Sequence, residues 1–244
     1  MPVAATQYDP PWADVFGNGY TNLDTRGSSE HFSSRMGTAG YNNFTDQNRT
    51  ATTAMGPMYA QSDAVWAFFG HALQTGPTSG GGGVMFCDAD GLPCQIGSAS
   101  TWLWANSVVA GDVNHTCSAP DKCVAGSTGL SDIKFMLFAG CFTAQDEHPG
   151  TLHNGNIVKV AHVQQQVDNV WGFTGEVTWP PGDDYAAFLG DRLAAGQTIS
   201  YSMYWAFVDT YNRWFPAPWA SGGWDTSWGQ GSSTDKLIPP AYGN

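Results

Sequence analysis

Two side chains have both the chemistry and the setting for a nucleophile and its base. Cys141 closes the stretch "DIKFMLFAGC" and His71 closes "DAVWAFFGH", each directly after a glycine. Both stretches are almost wholly apolar, so each reactive group stands where a buried segment stops. A thiol becomes the more nucleophilic thiolate near neutral pH only beside a base or a cation. A scissile amide also needs a proton for its leaving nitrogen, and one imidazole can take the thiol's proton and pass it on. A thiol so paired is expected to react with iodoacetamide faster at neutral pH than a model thiol does. Each residue alone has a plainer reading. Free Cys is among the most buried residue types, and a His beyond a strand is commonly held in a loop. It is the pair, in this order on two similar segments, that points to chemistry.

The elements that must position them follow from the apolar pattern. A run with no polar alternation, bounded by polar residues and glycine, reads as a strand buried on both faces. From residue 132 onward the chain alternates: a strand to Cys141, a helix in 154–166, a strand in 167–179, a helix over 181–196 and another over 198–214. Pro181 and Asp183 start the first of the two later helices and Gly196 stops it. Gly172 and Gly175 mark places in the intervening strand where another segment comes close. Strand, helix, strand, helix implies parallel strands joined by crossovers, hence a three-layer α/β sandwich around a mostly parallel sheet. Residues 1–30 read as a turn-rich wrap, a strand or two laid over the surface, "SEHFSSRMG" as a short helix capped by Ser29, and 215–244 as an extended Trp/Pro-rich strap. The segment 100–112 fits helix or strand equally. One domain, 1–244, accounts for the whole. Ligands of an open parallel sheet bind at the carboxyl ends of its strands, so neighbouring strands would aim His71 and Cys141 into one crevice.

Composition narrows the function classes. Of 244 residues 42% are hydrophobic and 14% aromatic, enough for a sizeable core. The formal net charge is −12 with four lysines, which argues against nucleic-acid or anionic-membrane partners. No apolar run is long enough to span a bilayer, and the opening "MPVAATQYDPP" does not read as a secretory leader. Four of the five cysteines form two close pairs, Cys87 with Cys94 and Cys117 with Cys123, each inside a turn-rich loop. Short-loop disulfides are the natural pairing and imply a location outside the reducing cytosol. A zinc site competes poorly, because the spacings are wider than a usual zinc knuckle. Cys141 is left as the free thiol.

The order of these motifs resembles a known group. An apolar strand ending Gly-His, then 70 residues later an apolar strand ending Gly-Cys, is similar to the caspase-like cysteine peptidases. That group includes caspases, gingipains, clostripain, legumain, separase and the CHAT domains. The succession after "AGCFTA" (helix, the strand "VWGFTGEVTW", a helix ending "FLGDRLAAG", another helix) is similar as well, so the likeness covers about residues 30–210. It implies a caspase-like sheet, a Cys141–His71 dyad acting on peptide or protein substrates, and an oxyanion hole formed by the N–H groups of Cys141 and Ala72. The chain departs from the family's His-Gly and Ala-Cys at two positions: His71 precedes Ala72, and Gly140 precedes Cys141. Ala72 keeps an N–H but has less backbone freedom than glycine.

Substrate preference is read from carboxylates. Asp63 precedes the His strand, and Asp146 and Glu147 follow Cys141. An acid at the base of the cleft would favour a basic residue beside the scissile bond, although solvated loop carboxylates look the same. The acidic turns "CDADG" and "PPGDD" offer oxygen ligands for calcium but lack the ligand count of a loop site, so no cofactor is expected. His148 and His153 follow Cys141 in sequence, and Asn43, Asn48 and Asn114 sit in glycosylation sequons. Eleven tryptophans, five of them after residue 204, support a rival reading: a catalytically silent relative that binds a surface or a carbohydrate through exposed rings.

Overall fold

The strands that end near His71 and Cys141 lie side by side at the centre of a six-stranded sheet. The computed structural model describes residues 12–17, 24–47, 63–73, 83–85, 102–104, 133–144, 157–159, 161–162, 167–177, 181–214, 227–232 and 234–237. In chain order these form β1 (Trp12–Gly17), α1 (Arg26–Thr38), β2 (Asn42–Gln47) and β3 (Asp63–Phe69). Then come β4 (Ala72–Leu73), β5 (Gly83–Met85), β6 (Trp102–Trp104) and β7 (Phe135–Ala139). The one-turn α2 (Ile157–Lys159), β8 (Val170–Phe173), α3 (Pro181–Ala194), α4 (Ile199–Trp214) and β9 (Ser227–Gln230) complete the series. The main sheet has the order β2-β1-β3-β7-β8-β9. All neighbours are parallel except β8 and β9.

Burial explains why β3 and β7 take the middle. Every residue from Val65 to Phe69 and from Phe135 to Ala139 is buried, at most 1% exposed. Their odd positions (Val65, Ala67, Phe69, Phe135, Leu137, Ala139) join the core under the long helices. On the opposite face Trp66 meets Phe138, with ring centroids 5.3 Å apart. A fully buried side chain of this size contributes about 1.5–3 kcal/mol, so these strand ends are firmly placed. α1, α3 and α4 cover one face, where Phe32, Tyr185, Leu189, Leu193, Met203 and Ala206 pack on the sheet. On the other face Ile157 and Val158 of α2 are buried, and α2 packs on β8 and β9. This is the expected three-layer α/β sandwich.

The structure corrects several local expectations. Residues 12–17 are no surface wrap: β1 lies between β2 and β3 and Val15 is fully buried. The tail is not only a strap, since β9 extends the sheet antiparallel to β8 and Leu237 is fully buried. α1 begins at Arg26, and Ser29 sits inside it; Thr25 occupies the cap position without a side-chain capping bond. Its hydroxyl instead donates to Phe69 O at 2.6 Å, which fastens the helix start to the end of β3. Of the helix expected in 154–166, only the short turn 157–159 lies in described α-helix. Finally β4, β5 and β6 form a small antiparallel sheet that begins one residue after His71. Within the described residues no helix is long and apolar enough to cross a membrane.

Candidate active site

The site is built from two strand ends and the turns that follow them. β3 and β7 pair with Phe69 opposite Ala139, and Gly70 N–H donates to Ala139 O at 3.1 Å. His71 and Cys141 each stand two residues beyond that last pair. By the two-residue period of a strand, position 71 follows 65, 67 and 69, and position 141 follows 137 and 139. Cys141 does pack against the same core as Leu137 and Ala139. Between them the backbones touch. A Cβ placed on Gly140 would lie 2.7 Å from the Ala72 Cβ, 2.8 Å from Gly70 O and 3.4 Å from Ala72 N. The residues flanking His71 therefore press directly on the residue before Cys141.

A single methyl group fits between the two strand ends. Here Ala72 supplies it and position 140 has none. The direction of the Ala72 N–H follows from the ladder of the small sheet. Met85 N–H donates to His71 O at 2.9 Å, so His71 and Met85 are a hydrogen-bonded pair. Ala72 and Val84 form the next pair, which by the antiparallel alternation is not hydrogen-bonded. The Ala72 N–H thus turns away from β5.

The turn bearing Cys141 is held in an uncommon shape. Phe142 has φ +59°, in the left-handed region, which costs a non-glycine residue about 1–2 kcal/mol. Several bonds hold it there. Phe142 N–H donates to Gly175 O and Ala144 N–H to Phe173 O, both at 2.9 Å. The buried Thr143 hydroxyl donates to Phe138 O at 2.8 Å and accepts from Phe173 N–H at 3.0 Å. Gly172 is required by this packing, because a Cβ there would come within 2.5 Å of Thr143 Oγ1. That close approach is the one its glycine signalled in the sequence. Beyond β8 the chain passes the thiol: Val177 N–H donates to Cys141 Sγ at 3.3 Å, and the thiol faces Val177 O at 3.6 Å.

Electrostatics run against one expectation. Burial pushes the Cys141 thiol above its ordinary pKa; the Val177 N–H pulls it back, and the Glu176 carboxylate pushes it up again. Burial also lowers the His71 imidazole. Both shifts favour the neutral forms, a thiol and a neutral imidazole, over an ion pair. Cys141 of the free protein should therefore alkylate more slowly at neutral pH than a model thiol, the opposite of the sequence-based expectation.

Other candidates fall elsewhere. Asp63 opens β3, and six residue steps of about 3.3 Å put it about 20 Å from Phe69, at the far edge of the sheet. It is not brought to the site. Asp146 and Glu147 lie outside the described residues, as do His148, His153 and the four loop cysteines Cys87, Cys94, Cys117 and Cys123; the described free cysteine is Cys141. Among the described residues no group of three or more His, Cys, Asp or Glu is placed to hold a metal. In "PPGDD", Asp183 accepts from Ser28 Oγ at 2.5 Å and Asp184 accepts from Trp214 Nε1 at 2.6 Å. Thr25, Thr143, Val177 and Glu176 went unseen in the sequence, because each acts through a tertiary contact that no local pattern records.

No protein-family model matches the sequence, and no curated protein matches it. Solved structures do match the fold. The Arg-specific cysteine proteinase gingipain R superposes over 95% of this chain with a TM-score of 0.60 and 8% identity. A pro-caspase-1 superposes over 97% with a TM-score of 0.53 and 10% identity, and caspase-1 from Spodoptera frugiperda over 95% with 0.50 and 9%. The fold is that of the caspases and gingipains. This chain spans about half of gingipain R, 49% of its length, but 95% and 94% of the two caspase chains.

Proposed function

We propose that this protein is an exported cysteine peptidase that hydrolyses peptide bonds with Cys141 as nucleophile and His71 as general base and acid. The observation that carries the reading is the contact of Gly140 with Gly70 and Ala72, which brings together the strand ends bearing the two groups. In this reading, neutral His71 takes the thiol proton as Sγ attacks the carbonyl carbon. The oxyanion of the tetrahedral intermediate accepts hydrogen bonds from the N–H groups of Cys141 and Ala72. His71 then returns the proton to the leaving nitrogen, the C–N bond breaks, and a thioacyl-enzyme remains. Water, deprotonated by His71, attacks that thioester and releases the acid. A preference for basic residues beside the scissile bond belongs to the same proposal, and export rests on the two cysteine pairs of the loops.

A fluorogenic peptide library tests it. Wild type should turn over a subset, Cys141→Ala none, and His71→Ala should lose a comparable factor, because nucleophile and base act as a unit and the double variant loses no more. Absence of turnover across the library, with Cys141 inert to alkylation even at alkaline pH, would remove the peptidase reading. The silent binding alternative has one observation in its favour: Tyr201, Tyr204, Trp205 and Trp214 of α4 are exposed, Tyr204 by 59%, and such rings stack on sugars.

A further inference from the structure

Past the end of β8 the chain bends at Thr174 and Gly175 and runs beside the Cys141 turn, with Gly175 and Val177 buried and Glu176 exposed between them. Both flanking residues are bonded to the turn, Gly175 O to Phe142 N–H and Val177 to the Cys141 thiol. Glu176 is thereby held beside the Cys141 turn and exposed to solvent. We propose that Glu176 is a specificity residue: its carboxylate receives a cationic side chain, arginine or lysine, flanking the scissile bond, and so favours cationic over neutral or anionic peptides at Sγ. The substrate part rests on the peptidase reading, whereas charge selection applies to anything that approaches the thiol. Of the acids the sequence offered, Asp63 is a strand length away and Asp146 and Glu147 lie outside the described residues; Glu176 is the described carboxylate whose charge acts on the Cys141 thiol. A second consequence follows. The Glu176 charge disfavours the thiolate, and a bound cation offsets that charge, so the matching substrate promotes ionisation of its own nucleophile.

The test reads the thiol first and turnover second. Rates of modification of Cys141 by cationic 2-aminoethyl and anionic 2-sulfonatoethyl methanethiosulfonate are followed by mass spectrometry of the Cys141 peptide. Thiol ionisation affects both reagents alike and cancels in their ratio. Glu176→Gln should lower the cation-to-anion ratio about tenfold at low salt, Glu176→Lys should lower it further, and added salt should shrink both effects. With peptides, the kcat/KM ratio of an arginine substrate to its neutral citrulline counterpart should fall about fivefold in Glu176→Gln. A labelling ratio that moves less than about twofold in both variants overturns the inference. So does turnover with an unchanged arginine-to-citrulline ratio, which would leave the peptidase reading standing. Charge-selective labelling of Cys141 without any turnover would uphold Glu176 as the selecting residue while removing the peptidase reading.

Discussion

The Ala72 methyl fills the space that a Cβ on residue 140 would need, and this makes residues 72 and 140 energetically dependent on each other. Gly140→Ala forces a Cβ to 2.7 Å from the Ala72 Cβ, an overpacked contact expected to cost about 2 kcal/mol. Ala72→Gly removes a buried methyl and adds backbone freedom to the unfolded chain, for about 1 kcal/mol. The double variant should be less destabilised than the sum of the two, with a favourable coupling of about 1 kcal/mol in denaturant titrations. Recovery is incomplete because Gly70 O also lies 2.8 Å from the new Cβ. Strict additivity would show that the two strand ends are not in contact. At this scale Cys141 and His71 were legible in the sequence, since a reactive group after an apolar run is a local pattern. Glu176 was not: a single loop carboxylate carries no pattern, and its relevance arises only where the chain returns past the thiol.

Among the elements, the turn 140–144 decides where the thiol points, and Thr143 holds that turn. Thr143→Val keeps the shape but leaves the Phe173 N–H without its 3.0 Å acceptor and the Phe138 carbonyl with the Gly140 N–H in place of two donors. An unsatisfied buried amide costs about 1–3 kcal/mol, so the melting temperature should fall. Any turnover should fall too, because the Phe142 conformation loses part of its support. A variant as stable and active as wild type would mean that the Phe142 and Ala144 bonds suffice. β3 and β7 could be read from sequence because strands buried on both faces show unbroken apolar runs. α3 and α4 could be read because Pro181 and Gly196, with φ +73°, punctuate them. β1 reads from sequence as a surface strand rather than one inside the sheet, as "WADVFG" includes Asp14 and mixes the apolar and polar signals. The two- and three-residue strands β4 and β5 and the four-residue β9 are too short for any periodicity to register.

For the whole molecule, Asp235 ties the tail to the amino edge of the sheet. It accepts from Asn169 Nδ2 at 2.8 Å and lies 3.8 Å from Lys134 Nζ, while its own carbonyl accepts from Ile199 N–H at 2.8 Å. The tail could not be placed from sequence because these partners lie far away along the chain. Export is a claim at the same scale. Non-reducing peptide mapping should find Cys87 joined to Cys94, Cys117 joined to Cys123, and Cys141 free. All five thiols free, or a stoichiometric zinc ion, would remove the disulfide pairing and with it the exported location.

The central claim, that Cys141 attacks a carbonyl carbon with His71 as base, is met most directly by trapping the thioacyl-enzyme. A peptide p-nitrophenyl ester is mixed with the protein, quenched in acid and followed by intact mass and peptide mapping across pH. The account predicts one acyl group per chain on Cys141, none in Cys141→Ala, and slow acylation in His71→Ala. The pH profile has a defined sign. Burial lowers the His71 pKa, so the neutral base persists, and acylation holds its plateau, to below the usual imidazole value of about 6.5. Release of p-nitrophenol with the acyl group on another residue, or acylation indifferent to His71→Ala, would contradict it.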